Sequence, residues 1–234
     1  MATLQDLLQR QSVWRGGAPP AAGAPCVPTG FRELDRALPG GGWPTGALTE
    51  ILCSQEGFGE LQLVLPAFAA LTRQAKRVAW LAPPHLPYAP GLAEAGVDLA
   101  HLAVVRAPGR RDALWAAEQV LRAGACHAVL AWLPHARYAE LRRLAVAAES
   151  GPAFVALFRP VEAANESSPA CLRLLLDPRD GRLEAHILKR RGAPAAVPLD
   201  ILVKRPCDAV GSARLPAAAA RSVAARPRLV TLRG

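Results

Sequence analysis

Residues 49–63, TEILCSQEGFGELQL, hold an apolar run, a short loop with Gly57 and Gly59, and an amphipathic segment that begins at Glu60-Leu61. Strand, glycine loop and helix are the parts of a phosphate-binding loop, because the loop and helix amides then point at the phosphates. A working loop also needs a Lys to bridge the β and γ phosphates and a hydroxyl to hold Mg²⁺. Here it closes as Gly59-Glu60-Leu61, and no Lys occurs before Lys76. A carboxylate in the Lys place repels a polyphosphate, and Leu61 offers no hydroxyl. The second part of such a site is an apolar strand ending in an acid. HAVLAWLP (127–134) supplies the strand, but Trp132 and Leu133 stand where the acid belongs. Pro66 is expected to interrupt the helix after the loop, at a cost of ~3 kcal/mol. Gly57, Gly59, Glu60, Leu61 and Trp132 therefore read as a degenerate nucleotide loop. The other cations nearby, Arg73, Lys76 and Arg77, fall at the far end of the following helix.

Outward from this loop the chain alternates. Apolar strand candidates are 47–53, 77–82, 102–106, 127–133 and 153–158, with helical patterns between them. Residues 110–124 place Leu114, Ala117 and Leu121 on one face and stop at Gly124, a helix C-cap signal. Strands without polar alternation, separated by helices, predict an α/β fold with a mainly parallel sheet flanked by helices on both faces. Beyond residue 168 two β-compatible runs flank Asp177-Pro178-Arg179-Asp180-Gly181, a C-terminal β-hairpin signal, and PLDILVK (198–204) could add a strand. Leu4, Leu7, Leu8 and Trp14 recur at helical spacing. The expected divisions are an N-terminal amphipathic helix (1–15), a Gly/Pro linker (16–28), a core domain (29–206) and a flexible, disordered basic tail (207–234). Trp43, set between glycines and a proline, is expected to fill an apolar gap.

The chain has 234 residues and a formal net charge of +9, and the charge is unevenly placed. From Ser168 onward 13 Lys/Arg face 5 Asp/Glu, against 15 and 14 before it. A basic third is an electrostatic footprint for nucleic acid or an acidic partner. Lys189, Arg190, Arg191, Lys204 and Arg205 are candidate contacts to single-stranded DNA, weak and salt-sensitive because few aromatic residues are near to stack bases. Leu4, Leu7, Leu8 and Trp14, with Arg214, Arg221, Arg226 and Arg228 of the tail, are candidate partner-binding residues. The five cysteines are scattered, odd in number and never spaced as CxxC, which argues for reduced thiols and against a zinc site. No Ser/His/Asp grouping or HExxH pair appears, so no catalytic residues, no metal and no cofactor are expected. No apolar run nears the ~20 residues of a membrane helix, and the N-terminus, with Asp6 among its leucines, does not read as a secretory signal.

The stretch VPTGFRELDRALPGGGWPTGALTEI (27–51) resembles the opening of a RecA-type core. The chain more fully resembles the ImuA branch of that superfamily. The matching segments are LQDLLQRQSVWRG (4–16), the 28–52 stretch, GFGELQLVLP (57–66), APPHLPYAPGLAEAGVDL (82–99), ALWAAEQVLRAGACHAVLAWLP (113–134) and LRLLLDPRDGRLEAHILKRRG (172–192). That resemblance implies a RecA-like fold and a non-catalytic adaptor in damage-induced error-prone translesion synthesis. Its implied partners are an ImuB-like Y-family polymerase relative, an error-prone polymerase and RecA, with a cytoplasmic, nucleoid-associated location. HAVLAWLP and FVALFRPV (154–161) are also similar to SulA, a damage-induced inhibitor of cell division that binds FtsZ and likewise lacks the loop lysine. The 28–44 entry and the extension after the core are the features that favour ImuA over this alternative.

Overall fold

The computed structural model describes residues 25–54, 57, 59–179, 182–191, 198–201 and 228–231. Strand β1 (Cys26–Val27) pairs antiparallel with β2 (Trp43–Pro44), and helix α1 (Arg32–Ala37) lies between them. The PTGxxxLD stretch builds the entry to that helix. Thr29 N–H donates to Asp35 Oδ1 at 2.9 Å, Phe31 N–H donates to Thr29 Oγ1 at 3.0 Å, and Leu34 is fully buried. Asp35 thus braces the turn that leads into the helix, and the N-cap Phe31 itself makes no side-chain cap bond.

The main sheet contains β3 (Ala47–Cys53), β4 (Val78–Leu81), β5 (Leu102–Arg106), β6 (Ala128–Trp132), β7 (Phe154–Pro160), β8 (Leu172–Arg179), β9 (Arg182–Lys189), β10 (Leu199–Ile201) and β11 (Arg228–Thr231). Their order is β10-β9-β8-β3-β7-β6-β4-β5-β11. Pairing is parallel from β8 across to β11, while β8–β9 and β9–β10 are antiparallel. The fold is therefore α/β, with a mostly parallel sheet flanked by helices. The β8–β9 ladder runs out to Arg179 opposite Arg182, and its register shifts between Arg173 and Leu174.

Helices α2 (Leu65–Arg73) and α3 (Ala89–Glu94) follow β3 and β4. Helices α4 (Arg110–Ala123) and α5 (Tyr138–Ala148) follow β5 and β6. The chain steps from β3 to β4 to β5 in one direction and returns through β6 to β7. Right-handed crossovers then force the two helix pairs onto opposite faces. The core divides accordingly. Val78, Trp80, Leu130, Phe154 and Ala156 pack with Leu34, Phe68 and Leu92 on one face. Ala79, Leu81, Val129, Ala131, Val155 and Leu157 pack with Ala117, Leu121, Leu141 and Leu144 on the other. Apolar residues at consecutive positions along a strand thus serve two cores, as expected for a sheet covered on both sides. Helix α4 ends at Gly124, whose φ of +60° places it in the left-handed region.

Two expectations need correction. Pro66 does not interrupt a helix, because a 3₁₀ turn (Glu60–Leu63) precedes α2 and Pro66 falls at its first turn. A proline there lacks only an N–H that has no intrahelical partner. The 207–234 segment is not without regular structure throughout, since residues 228–231 form an edge strand parallel to β5. The remainder of that segment, and the expected N-terminal helix, lie outside the described residues. Trp43 is fully buried and stacks on Phe154 with ring centroids 5.0 Å apart.

Candidate functional site

The glycine loop leaves the C-terminal end of β3 and turns back through Glu60. The carboxylate of Glu60, 7 % exposed, accepts hydrogen bonds from Gly57 N–H at 3.0 and 3.1 Å and from Gly59 N–H at 3.1 Å. Both glycines hold positive φ, +82° and +112°, and that backbone aims their amides inward. The Glu60 side chain is thus the acceptor for both of these glycine amides. Leu61 packs against the core and offers no polar atom to the loop. Trp132 is 8 % exposed and fixed among aromatics, 5.7 Å from Trp80 and 5.2 Å from Phe158 between ring centroids.

Trp132 also stands between two clefts at the C-terminal ends of the strands. One, of about 230 Å³, is lined by Cys53, Ser54, Glu60, Trp132, Phe158 and Arg159 among others. The other, of about 250 Å³, lies between Ala82, the Ala107–Ala113 turn and Trp132–Ala136. It opens between β4 and β6, where the chain's crossovers diverge, the usual place for a ligand crevice in an open parallel sheet.

A buried ionic cluster, not anticipated from the sequence, backs the first cleft. Glu50, on β3 between β7 and β8, accepts from Arg159 Nη1 at 2.8 Å and from Arg173 Nε at 2.6 Å. Arg159 also donates to Ala136 O at 2.9 Å and to Glu166 Oε2 at 2.8 Å. Arg173 reaches Ala163 O at 2.5 Å and Glu166 O at 3.1 Å. All three strand residues are buried, so the charges stand out of water and must be held by one another and by carbonyl oxygens. The signal was available: a Glu within ALTEILC and an Arg within FVALFRP are charges inside strands that are otherwise apolar.

Of the expected basic residues, Lys189, Arg190 and Arg191 lie together at the end of β9. Lys189 Nζ donates to Ser168 O at 2.9 Å, Arg190 donates to Ala37 O, and Arg191 is exposed beyond β9. Lys204, Arg205, Arg214, Arg221, Arg226, Leu4, Leu7, Leu8 and Trp14 lie outside the described residues, and Arg228 begins β11. Among the described residues no group of three or more His, Cys, Asp or Glu side chains could hold a metal ion. No helix among them is long and apolar enough to cross a membrane. Burial pushes the Cys126 and Cys171 thiols above the usual range, partly offset by nearby Arg77 and by Arg191 and Lys189 respectively.

Among known proteins, the family "Cell division inhibitor SulA" matches this chain over residues 46–155. That span runs from β3 into β7 and includes the loop and the second cleft. A SulA of Edwardsiella piscicida is 32 % identical over 114 residues, 47 % of this chain and 68 % of the relative. The SulA of Yersinia pestis (strain Pestoides F) and that of Yersinia pseudotuberculosis serotype O:1b are each 27 % identical over 130 residues, 56 % of this chain and 77 % of each relative. These matches overturn the expected ImuA membership. With it fall the translesion-synthesis adaptor role and the polymerase and RecA partners. The features that pointed there, residues 28–44 and the extension after the core, flank the matched span.

Proposed function

We propose, from the premise that this chain belongs to the SulA family, that it is a damage-induced inhibitor of cell division acting by binding a protein of the division machinery. FtsZ is the partner implied by the SulA resemblance and is the one to test. The observation that carries the reading is the match over residues 46–155 to a family named for division inhibition. Purified chain added to assembling FtsZ should lower the amount of polymer sedimented in proportion to its concentration. Unchanged polymer at a several-fold excess, together with normal division in cells expressing the chain, would remove this reading.

The scaffold is read as a RecA-like core that has given up nucleotide. Its support is the strand order β5-β4-β6-β7-β3-β8, with the glycine loop after the central β3 and helices changing face where the crossovers reverse. The support for a lost nucleotide site is the Glu60 carboxylate seated on the Gly57 and Gly59 amides. A nucleotide phosphate would have to displace a covalently tethered anion and would meet no lysine in return. Trp132, in the place of a Mg²⁺-binding acid, adds a second defect. Glu60→Lys should therefore yield no ATP hydrolysis above background in a phosphate-release assay. Measurable turnover by the purified variant would show that the site is intact apart from one charge. On this reading the sheet is a rigid platform, and residues 29–206 form the core domain, to whose sheet β11 adds an edge strand.

A further inference from the structure

One edge of the sheet is closed by residues 228–231 of this chain. Strand β11 has one neighbour, β5, and lies parallel to it with Arg228 opposite Ala103, Leu229 opposite Val104, Val230 opposite Val105 and Thr231 opposite Arg106. On the other side β5 is paired to β4 over Leu102–Val105. Without β11, the outer edge of β5 would present the unpaired amides and carbonyls that make an edge strand a template for another chain. The register sets Leu229 and Val230 opposite Val104 and Val105, two consecutive apolar positions of β5.

The connection to this strand is long. Its preceding partner in sequence, β10, sits at the opposite end of the nine-strand order. Eight strand spacings separate the two, ~38 Å at the usual ~4.8 Å each. The 202–227 segment can reach that far, since each extended residue spans up to ~3.3 Å. Linkage within one chain gives an end segment the advantage of effective concentration and no new contact. A free segment of suitable sequence can therefore compete for the same edge.

The geometry points to the outer edge of β5 as a strand-addition site for an extended peptide with two consecutive apolar residues, which this chain's own residues 228–231 fill in cis. Main-chain hydrogen bonds supply the binding and the Val104–Val105 positions select the apolar pair. The resident segment acts as a self-ligand that closes the edge until another segment displaces it.

The test uses the full chain and a labelled peptide of residues 224–234, AARPRLVTLRG. In the full-length variant L229P/V230P the resident strand loses a ladder donor whichever of the two residues supplies it. Fluorescence anisotropy should show the peptide binding this variant at least about tenfold more tightly than the unaltered chain. Equal binding to both, or no binding to a variant whose circular dichroism and melting remain cooperative, overturns the proposal. Hydrogen exchange on the unaltered chain is an independent readout that does not depend on any variant. The β5-facing amides of residues 228–231 should be protected, and exchange at the rate of a free peptide overturns it. Protection that appears only as the protein dimerises with rising concentration assigns the strand to a second copy and overturns the cis arrangement.

Discussion

Glu50→Ala should lower the stability of the folded chain by on the order of 3–5 kcal/mol, a large share of the ~5–15 kcal/mol that a domain of ordinary stability has. The reason lies less in the loss of two ion pairs than in what is left behind. Arg159 and Arg173, at 1 % and 8 % side-chain exposure, would remain inside the sheet with only carbonyl oxygens and the exposed Glu166 to answer them. Glu50→Gln keeps the shape and one acceptor but not the charge, so its cost should be intermediate. Urea unfolding of the three proteins distinguishes this account from simple loss of packing. A Gln variant as unstable as the Ala variant would assign the effect to charge, and an unaffected Ala variant would contradict the burial of the cluster. Because Glu50 joins β7 and β8 across β3, the same variant should loosen the Arg159 wall of the first cleft before the molecule as a whole unfolds.

Gly30→Ala is the second substitution with a large expected cost. Gly30 holds φ +88°, and a Cβ added there would lie 2.5 Å from Pro66 Cβ. The left-handed conformation costs a non-glycine residue ~1–2 kcal/mol, and forcing an atom into a packed contact costs ~1–3 kcal/mol. Together these put the loss at about 3 kcal/mol, measured as a shift in the urea midpoint. The partner in the clash is itself informative. Pro66 opens α2, so the PTG entry and the helix after the loop are pressed together and neither can move alone. A companion Pro66→Ala would not relieve the contact, since the Cβ atom remains, and should leave the Gly30→Ala defect in place. Full rescue by that second change would show that the ring, rather than the backbone position, sets the fit.

How far the sequence could be read depended on how far apart the interacting residues are. Strands β3 to β7 and α4 were legible because each announces itself locally, through an unbroken apolar run or the Leu114–Leu121 stripe ending at Gly124. The use that the loop makes of Glu60 was not. A carboxylate next to Gly59 is the nearest acceptor for two converging amides. The Glu50–Arg159–Arg173 cluster joins positions 109 and 123 residues apart, and only the oddity of charges in apolar strands hinted at it. Strand β11 is four residues set among Arg, Ala and Pro, too short to give a period. The flanking residues, 28–44 and the extension after the core, resemble a different branch from the one that the 46–155 span shares with the SulA family.

The tethered carboxylate of Glu60 also bears on how such a protein could be controlled. A loop that waits for nucleotide has two states, and the cell can move the protein between them through its energy charge. A loop occupied by its own side chain has one. On the proposed function every folded copy is then competent as soon as it is made, and the strength of the response scales with copy number rather than with the metabolic condition of the cell.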